Sequence, residues 1–334
     1  MNKLFDSIRH LFTPPSPLPA GIYQFQSPPD ASEPYRFHLR LEPEGHGVLV
    51  VNARTVLHLN QTAAEYAYHI VTGTSEADVV SQISHRYRIG REQIAKDLND
   101  LRGRLHSITH TQDLDPVTFL HFERSDPYST DLSAPLRLDC ALTYQLSELA
   151  APHAAPVDRV KRELTTPEWQ TILDKAWNAG IPHVIFTGGE PTLRPDLPDL
   201  IAYAEKLGMV SGVLSDGLRL TEKDYLHSLL RSGLDHLMLL LIPDESQSWE
   251  ALRDVLGEDL FTTVHLTMTH DNQPGFRDLL DKVAGMGVKS ISLSASDLSL
   301  KEELHAASQH ASHLGLSLVW DLPVPYSSLH PVAL

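Results

Sequence analysis

Hydrophobic and polar residues alternate along residues 36–60, "RFHLRLEPEGHGVLVVNARTVLHLN", with breaks at "EGHG" and "NAR". A period of two interrupted by turn residues predicts two or three antiparallel strands. From Gln61 the period lengthens to that of a helix, in "QTAAEYAYHIV", "SEADVVSQISHRY" and "GREQIAKDLNDLRGRL". Ser75 and Gly90 stand at the starts of the second and third segments and Gly73 behind the first, as helix-end chemistry favours. A short sheet followed by three helices is a compact α+β, winged-helix-like unit. Ahead of it, residues 13–34 are rich in proline and serine and read as an extended arm.

After a linker at 111–135 with three prolines, the rhythm becomes strand, helix, strand, helix. Strands are predicted at "LRLDCALTY", "HVIFTGG", "VSGVLSDG", "LDHLMLLLI", "TTVHLTMTH", "KSISLSAS" and "LSLVWDLP". Amphipathic segments separate them, most closed by glycine. Such alternation implies right-handed βαβ units and a parallel sheet or barrel. One side of several strands is polar: Ser290, Ser292, Ser294 and Ser296 on one, and Thr263, His265, Thr267 and Thr269 on another. Parallel strands covered on both faces are ordinarily apolar throughout. The polar side is therefore expected to line a lumen holding water or ligand, as in an open, partial barrel.

The chain has 334 residues, a formal charge of −16, nineteen histidines and one cysteine. Its length allows two domains with proper cores. The acidity argues against nucleic acid as principal partner. No apolar run is long enough to cross a bilayer, and the opening "MNKLFDSIRHLF" lacks a signal-peptide core. One cysteine excludes an internal disulfide framework and fits a cytoplasmic protein. The histidine spacings match no zinc pattern.

Residues 136–325 resemble the radical S-adenosylmethionine (SAM) superfamily. The landmarks are a first strand ending "LTY", then "FTGGEPTLRPDLPDLI" after the second strand, then "LSDG" after the third. The resemblance implies a partial (β/α)6, TIM-like barrel. It also implies a SAM site at Thr187, Gly188, Gly189, Glu190, Pro191, Ser215 and Asp216, with the glycines letting the backbone approach SAM's methionine end. Glu190 would accept from its ammonium. The family holds a [4Fe–4S] cluster with a CxxxCxxC loop after "LTY", and thiolates are the ligands such clusters need. Here that loop reads "QLSELAAPHAAP", and the three positions fall on Leu146, Ala150 and His153. The cluster is therefore expected to be absent. Cys140 precedes the loop and reads as a buried hydrophobe.

Residues 21–110 resemble the RiPP recognition element, related to the pyrroloquinoline-quinone peptide chaperone, through "VLHLNQTAAEYAYHI" and "ISHRYRIG…DLNDLRGRL". The resemblance implies a leader peptide added as a strand to the sheet edge. A packing module of the same shape with no ligand is the alternative. The expected organisation is an arm at 1–20, a peptide-recognition domain at 21–110, a linker at 111–135 and a barrel at 136–334. The expected function is a non-catalytic partner or regulator in peptide modification, binding a leader peptide and SAM and working beside a modifying enzyme. Two alternatives stand: a cluster-independent enzyme using Glu190, Asp216, His265 or Asp321, and a peptide-modifying enzyme with an atypical cluster.

Overall fold

The computed structural model describes residues 15–28, 31, 34–52, 55–111, 120, 133–148 and 161–319. The chain divides into two compact units, Met1–Pro135 and Leu136–Leu334.

In the first unit, β1 (Gly21–Gln26), β2 (Arg36–Leu41), β3 (Gly47–Val51) and β4 (Thr55–Leu59) form an antiparallel sheet in the order β1-β2-β3-β4. The second to fourth strands follow the alternation in the sequence. The first corrects it, because part of the region read as an extended arm is a strand. "GIYQFQ" turns Tyr23 and Phe25 inward, opposite Leu39 and Phe37 of β2, and leaves Ile22, Gln24 and Gln26 exposed. Six residues between proline clusters give too short a period to read without the partner strand.

Three helices follow: α1 (Gln61–Val71), α2 (Glu76–Tyr87) and α3 (Arg91–His110). The Asn60 side chain accepts from the Ala63 amide at 3.0 Å, and Ser75 accepts from Asp78 at 3.3 Å. Each cap satisfies an amide that the first turn leaves unpaired. The apolar stripes of the helices meet the sheet around Leu39, Leu49, Ile83, Ile94 and Leu98, all fully buried.

In the second unit seven parallel strands pair in sequence order: β5 (Arg137–Thr143), β6 (His183–Gly188), β7 (Val210–Ser215), β8 (His236–Leu240), β9 (Phe261–Met268), β10 (Ser290–Ala295) and β11 (Ser317–Leu318). Six helices connect them: α4 (Thr166–Asn178), α5 (Leu197–Leu207), α6 (Lys223–Arg231), α7 (Ser246–Leu256), α8 (Phe276–Gly285) and α9 (Lys301–His313). This is a mixed α/β fold of partial-barrel type. A capping box starts α4, with Glu168 reaching back to the Thr165 amide at 2.9 Å. No helix among the described residues is long and apolar enough to cross a membrane.

The inner face of the sheet is divided. Ile185, Leu214 and Met238 on β6, β7 and β8 pack together, with Leu240 against them. The neighbouring strands carry the polar wall read from the sequence, but its hydroxyls bond one another rather than standing open. Thr263 pairs with Ser290 at 2.9 Å, and His265 Nδ1 with Ser292 at 3.0 Å. His265 Nε2 lies 3.0 Å from Ser294 and 3.2 Å from Thr267. All but Thr267 are under 5% exposed. Register explains the match, since Thr263, His265 and Thr267 stand directly opposite Ser290, Ser292 and Ser294.

At the N-terminal end of these strands, His183 Nε2 lies 2.7 Å from His236 Nε2. One ring must carry its proton there and the other a lone pair. The rings meet across β7 at Gly212, where a β-carbon would overlap the His236 ring.

Candidate functional site

The "GGEPT" turn leaves the C-terminal end of β6, where parallel sheets bind ligands. Gly188 has φ +134°, a conformation that favours glycine. The glycines also serve packing: a β-carbon on Gly188 would stand 2.5 Å from the Thr143 carbonyl, and one on Gly189 would overlap that of Gln145. The Gly189 amide donates to Thr143 O at 2.8 Å and the Glu190 amide to Gln145 O at 2.7 Å. The backbone approaches the strand-end loop "TYQ" here. Pro191 keeps Glu190 extended, at φ −121° and ψ 102°.

Glu190 is the centre of the site. Its Oε1 accepts from the Thr192 amide (3.0 Å), the Thr192 hydroxyl (2.6 Å) and the Ser215 hydroxyl (2.8 Å). Its Oε2 accepts from the Asp216 amide at 2.9 Å. The carboxylate therefore ties the end of β6 to the end of β7. Burial, with the Asp216 carboxylate nearby, pushes its pKa up to about 7. Asp216 accepts from the Leu218 amide at 3.0 Å. Beside them the Thr187 hydroxyl is fully buried with no hydrogen-bond partner among the described residues, an orphan that a ligand or a water would satisfy.

A second layer of contacts surrounds this core, and sequence reasoning missed it. Arg194 Nη1 donates to the carbonyls of Leu142 (2.9 Å) and Leu164 (3.0 Å), while its other nitrogens form a fork on Asp196. Glu163 accepts from the Thr143 hydroxyl at 2.6 Å and the Tyr144 amide at 2.9 Å. Together they fasten both ends of the 144–163 segment. Thr192 O accepts from Arg219 and from the Tyr225 hydroxyl, and the guanidinium lies 4.0 Å from the Tyr225 ring centre. The only signal in the sequence was "LRPD" directly behind the glycines. Replacing Arg194 with methionine should remove its donors from both carbonyls and leave Asp196 with the Thr166 hydroxyl. We expect a loss of about 2 kcal/mol in urea unfolding and faster hydrogen exchange at Tyr144 and Gln145.

The predicted residues are thus brought together in part. Thr187, Gly188, Gly189, Glu190, Pro191, Ser215 and Asp216 converge. His265 belongs to the hydroxyl ladder, and Asp321 lies outside the described residues. Of the three cluster positions, Leu146 is half-buried and has no donor atom, while Ala150 and His153 lie outside the described residues. Cys140 is 2% exposed inside β5, and burial, with Asp139 nearby, pushes its thiol up to about 12. Among the described residues no three His, Cys, Asp or Glu are placed to hold a metal. A donor set of three thiolates does not fit a chain with one buried cysteine.

Residues 140–242 match the family model of the Radical SAM superfamily. Over 179 residues the chain is 32% identical to a PqqA peptide cyclase of Streptomyces rochei, covering 49% of each. It is 36% identical over 110 residues to the PqqA peptide cyclase of Gluconobacter oxydans, covering 32% of this chain and 30% of that one. The chain thus spans about half, or less, of the curated relatives it matches. In fold it is similar to Streptococcus suis SuiB bound to its precursor peptide SuiA, with TM-score 0.56 and 14% identity over 84% of this chain and 71% of that one. SuiB bound to S-adenosylmethionine gives TM-score 0.54 at 14% identity, over 85% and 71%.

Proposed function

We propose that this chain is a radical-SAM-fold component of peptide modification that works without an iron–sulfur cluster of its own. In this reading it binds a leader peptide through residues 21–110, keeps SAM or a related metabolite at the Glu190 turn, and presents the peptide to a partner modifying enzyme. The observation that carries it is a contrast within one site. The Glu190 cradle and the Arg194 clamp are complete, whereas the chain lacks thiolates for the loop they frame. Peptide binding is supported by the likeness to the cyclases and by β4, which lies at the sheet's edge with Val56 exposed. An incoming strand would find main-chain groups there.

A second reading, cluster-independent acid–base catalysis, draws on the raised pKa of Glu190. The four donors already on its two oxygens favour a positioning role instead.

Anaerobic reconstitution with iron and sulfide, followed by SAM and leader-peptide calorimetry, tests the proposal. We expect iron well below four atoms per chain, heat on peptide addition, and no SAM cleavage under reductant. A stoichiometric cluster with SAM cleavage would overturn it.

A further inference from the structure

The first unit contains a groove that strand addition at β4 does not use. Residues 15–20, "PSPLPA", join no sheet or helix. Proline has no N–H, so Pro15, Pro17 and Pro19 leave this stretch with carbonyls as its main hydrogen-bonding groups. The helices supply the donors. Gln61 Nε2, at the start of α1, donates to the Pro15 carbonyl at 2.7 Å. Arg86 Nη2, near the end of α2, donates to the Ser16 carbonyl at 2.7 Å.

The Arg86 donor lies against a buried carboxylate. Arg86 Nε lies 2.7 Å from Oε1 of Glu65, a side chain only 2% exposed. Glu65 Oε2 accepts from the Tyr87 hydroxyl at 2.8 Å. A buried carboxylate is costly unless paired. Here the guanidinium pairs that charge while its Nη2 reaches the arm. Pro17 lies where a side chain on Gly45 would stand, and Leu18 packs on the core. The arm itself is lightly held, since Ser16, Pro17, Pro19 and Ala20 are exposed.

We propose that the groove framed by Gln61, Glu65, Arg86, Tyr87 and Gly45 is a binding site for a proline-rich extended segment. Residues 15–19 occupy it in cis, and a proline-rich segment of a partner protein takes it when the arm leaves. The chemistry of the groove selects that occupant. Fixed side-chain donors aimed at carbonyls suit a chain that offers few amides, and a pre-extended proline segment loses little entropy on docking. The proposal is independent of strand addition at β4.

The probe is a fluorescent peptide of residues 13–21, "TPPSPLPAG", added to the full chain and read by anisotropy. In the wild type the tethered arm competes. Loosening it by Pro17→Gly with Leu18→Ser should tighten probe binding at least about tenfold, because the competent state is no longer masked. Adding Arg86→Met or Gln61→Met to that background should weaken binding by about tenfold. Circular dichroism identifies a variant that has lost its fold, and Gln61→Met then decides. The proposal fails if the loosened chain binds no better than wild type, or if binding ignores both donor variants. It also fails if light scattering shows the loosened arm seated in a second copy.

Discussion

Replacing Gly189 with alanine is expected to destabilise residues 136–334 by about 4 kcal/mol or more, among the larger effects a single substitution produces. A β-carbon there would overlap the carbonyl oxygen of Gln145 and crowd the Tyr144 carbonyl carbon. These are backbone atoms, so no side chain can rotate away. Relief requires breaking the bonds from Gly189 to Thr143 O and from Glu190 to Gln145 O. All four tryptophans lie at residues 169, 177, 249 and 320, so fluorescence in a urea titration reports this unit alone. Gly103→Ala is the control: it lies within α3 with nothing near its β-position. There alanine should stabilise by roughly 0.5–1 kcal/mol, read by circular dichroism. A Gly189→Ala protein with the wild-type fluorescence transition would show that the turn does not need this close approach.

The second large effect concerns pH. Glu190 has its pKa raised to about 7 in the folded state, chiefly by burial. Between its unfolded value and pH 7 the native state binds the extra proton, so its contribution falls as pH rises. His236 is lowered to about 4, by burial first and Arg137 second. Between pH 4 and 6.5 the unfolded state binds the extra proton, so its contribution grows as pH rises. From pH 5 to 7 each amounts to about 2 kcal/mol, somewhat less for the partly exposed His236. The signs oppose, so relative to wild type Glu190→Gln should gain stability as pH rises and His236→Phe should lose it, whatever their absolute stabilities. Urea unfolding at half-unit steps checks this, and parallel curves for Glu190→Gln and wild type would refute it.

Much of the architecture was legible along the chain. Alternation located β2 to β4, and the change to a helical period at Gln61 located α1 to α3. "TGGEP" behind an apolar run marked the turn where Glu190 and Asp216 meet. These signals are readable because strand and helix periods are local and a buried face repeats within a few residues. The strand β1 was not legible: only its register with β2 shows that Tyr23 and Phe25 face a core. The packing role of the two glycines was not legible either, since it lies in their close approach to Thr143 and Gln145. That contact joins residues more than forty positions apart, beyond the reach of any period.

Composition by itself settled what the site can offer. One cysteine, placed inside the first strand, leaves no set of three thiolates, and no folding of the chain changes that count. Tertiary structure decided what surrounds the gap. It brought Arg194 to the carbonyls of Leu142 and Leu164, matched the Thr263–Thr267 wall to the serines of β10, and laid Pro15 and Ser16 against Gln61 and Arg86. Each of these is a hydrogen bond between elements whose meeting depends on the crossovers and the register of the sheet. The sequence states which groups are present; packing determines which of them find a partner, and the buried Thr187 hydroxyl finds none among the described residues.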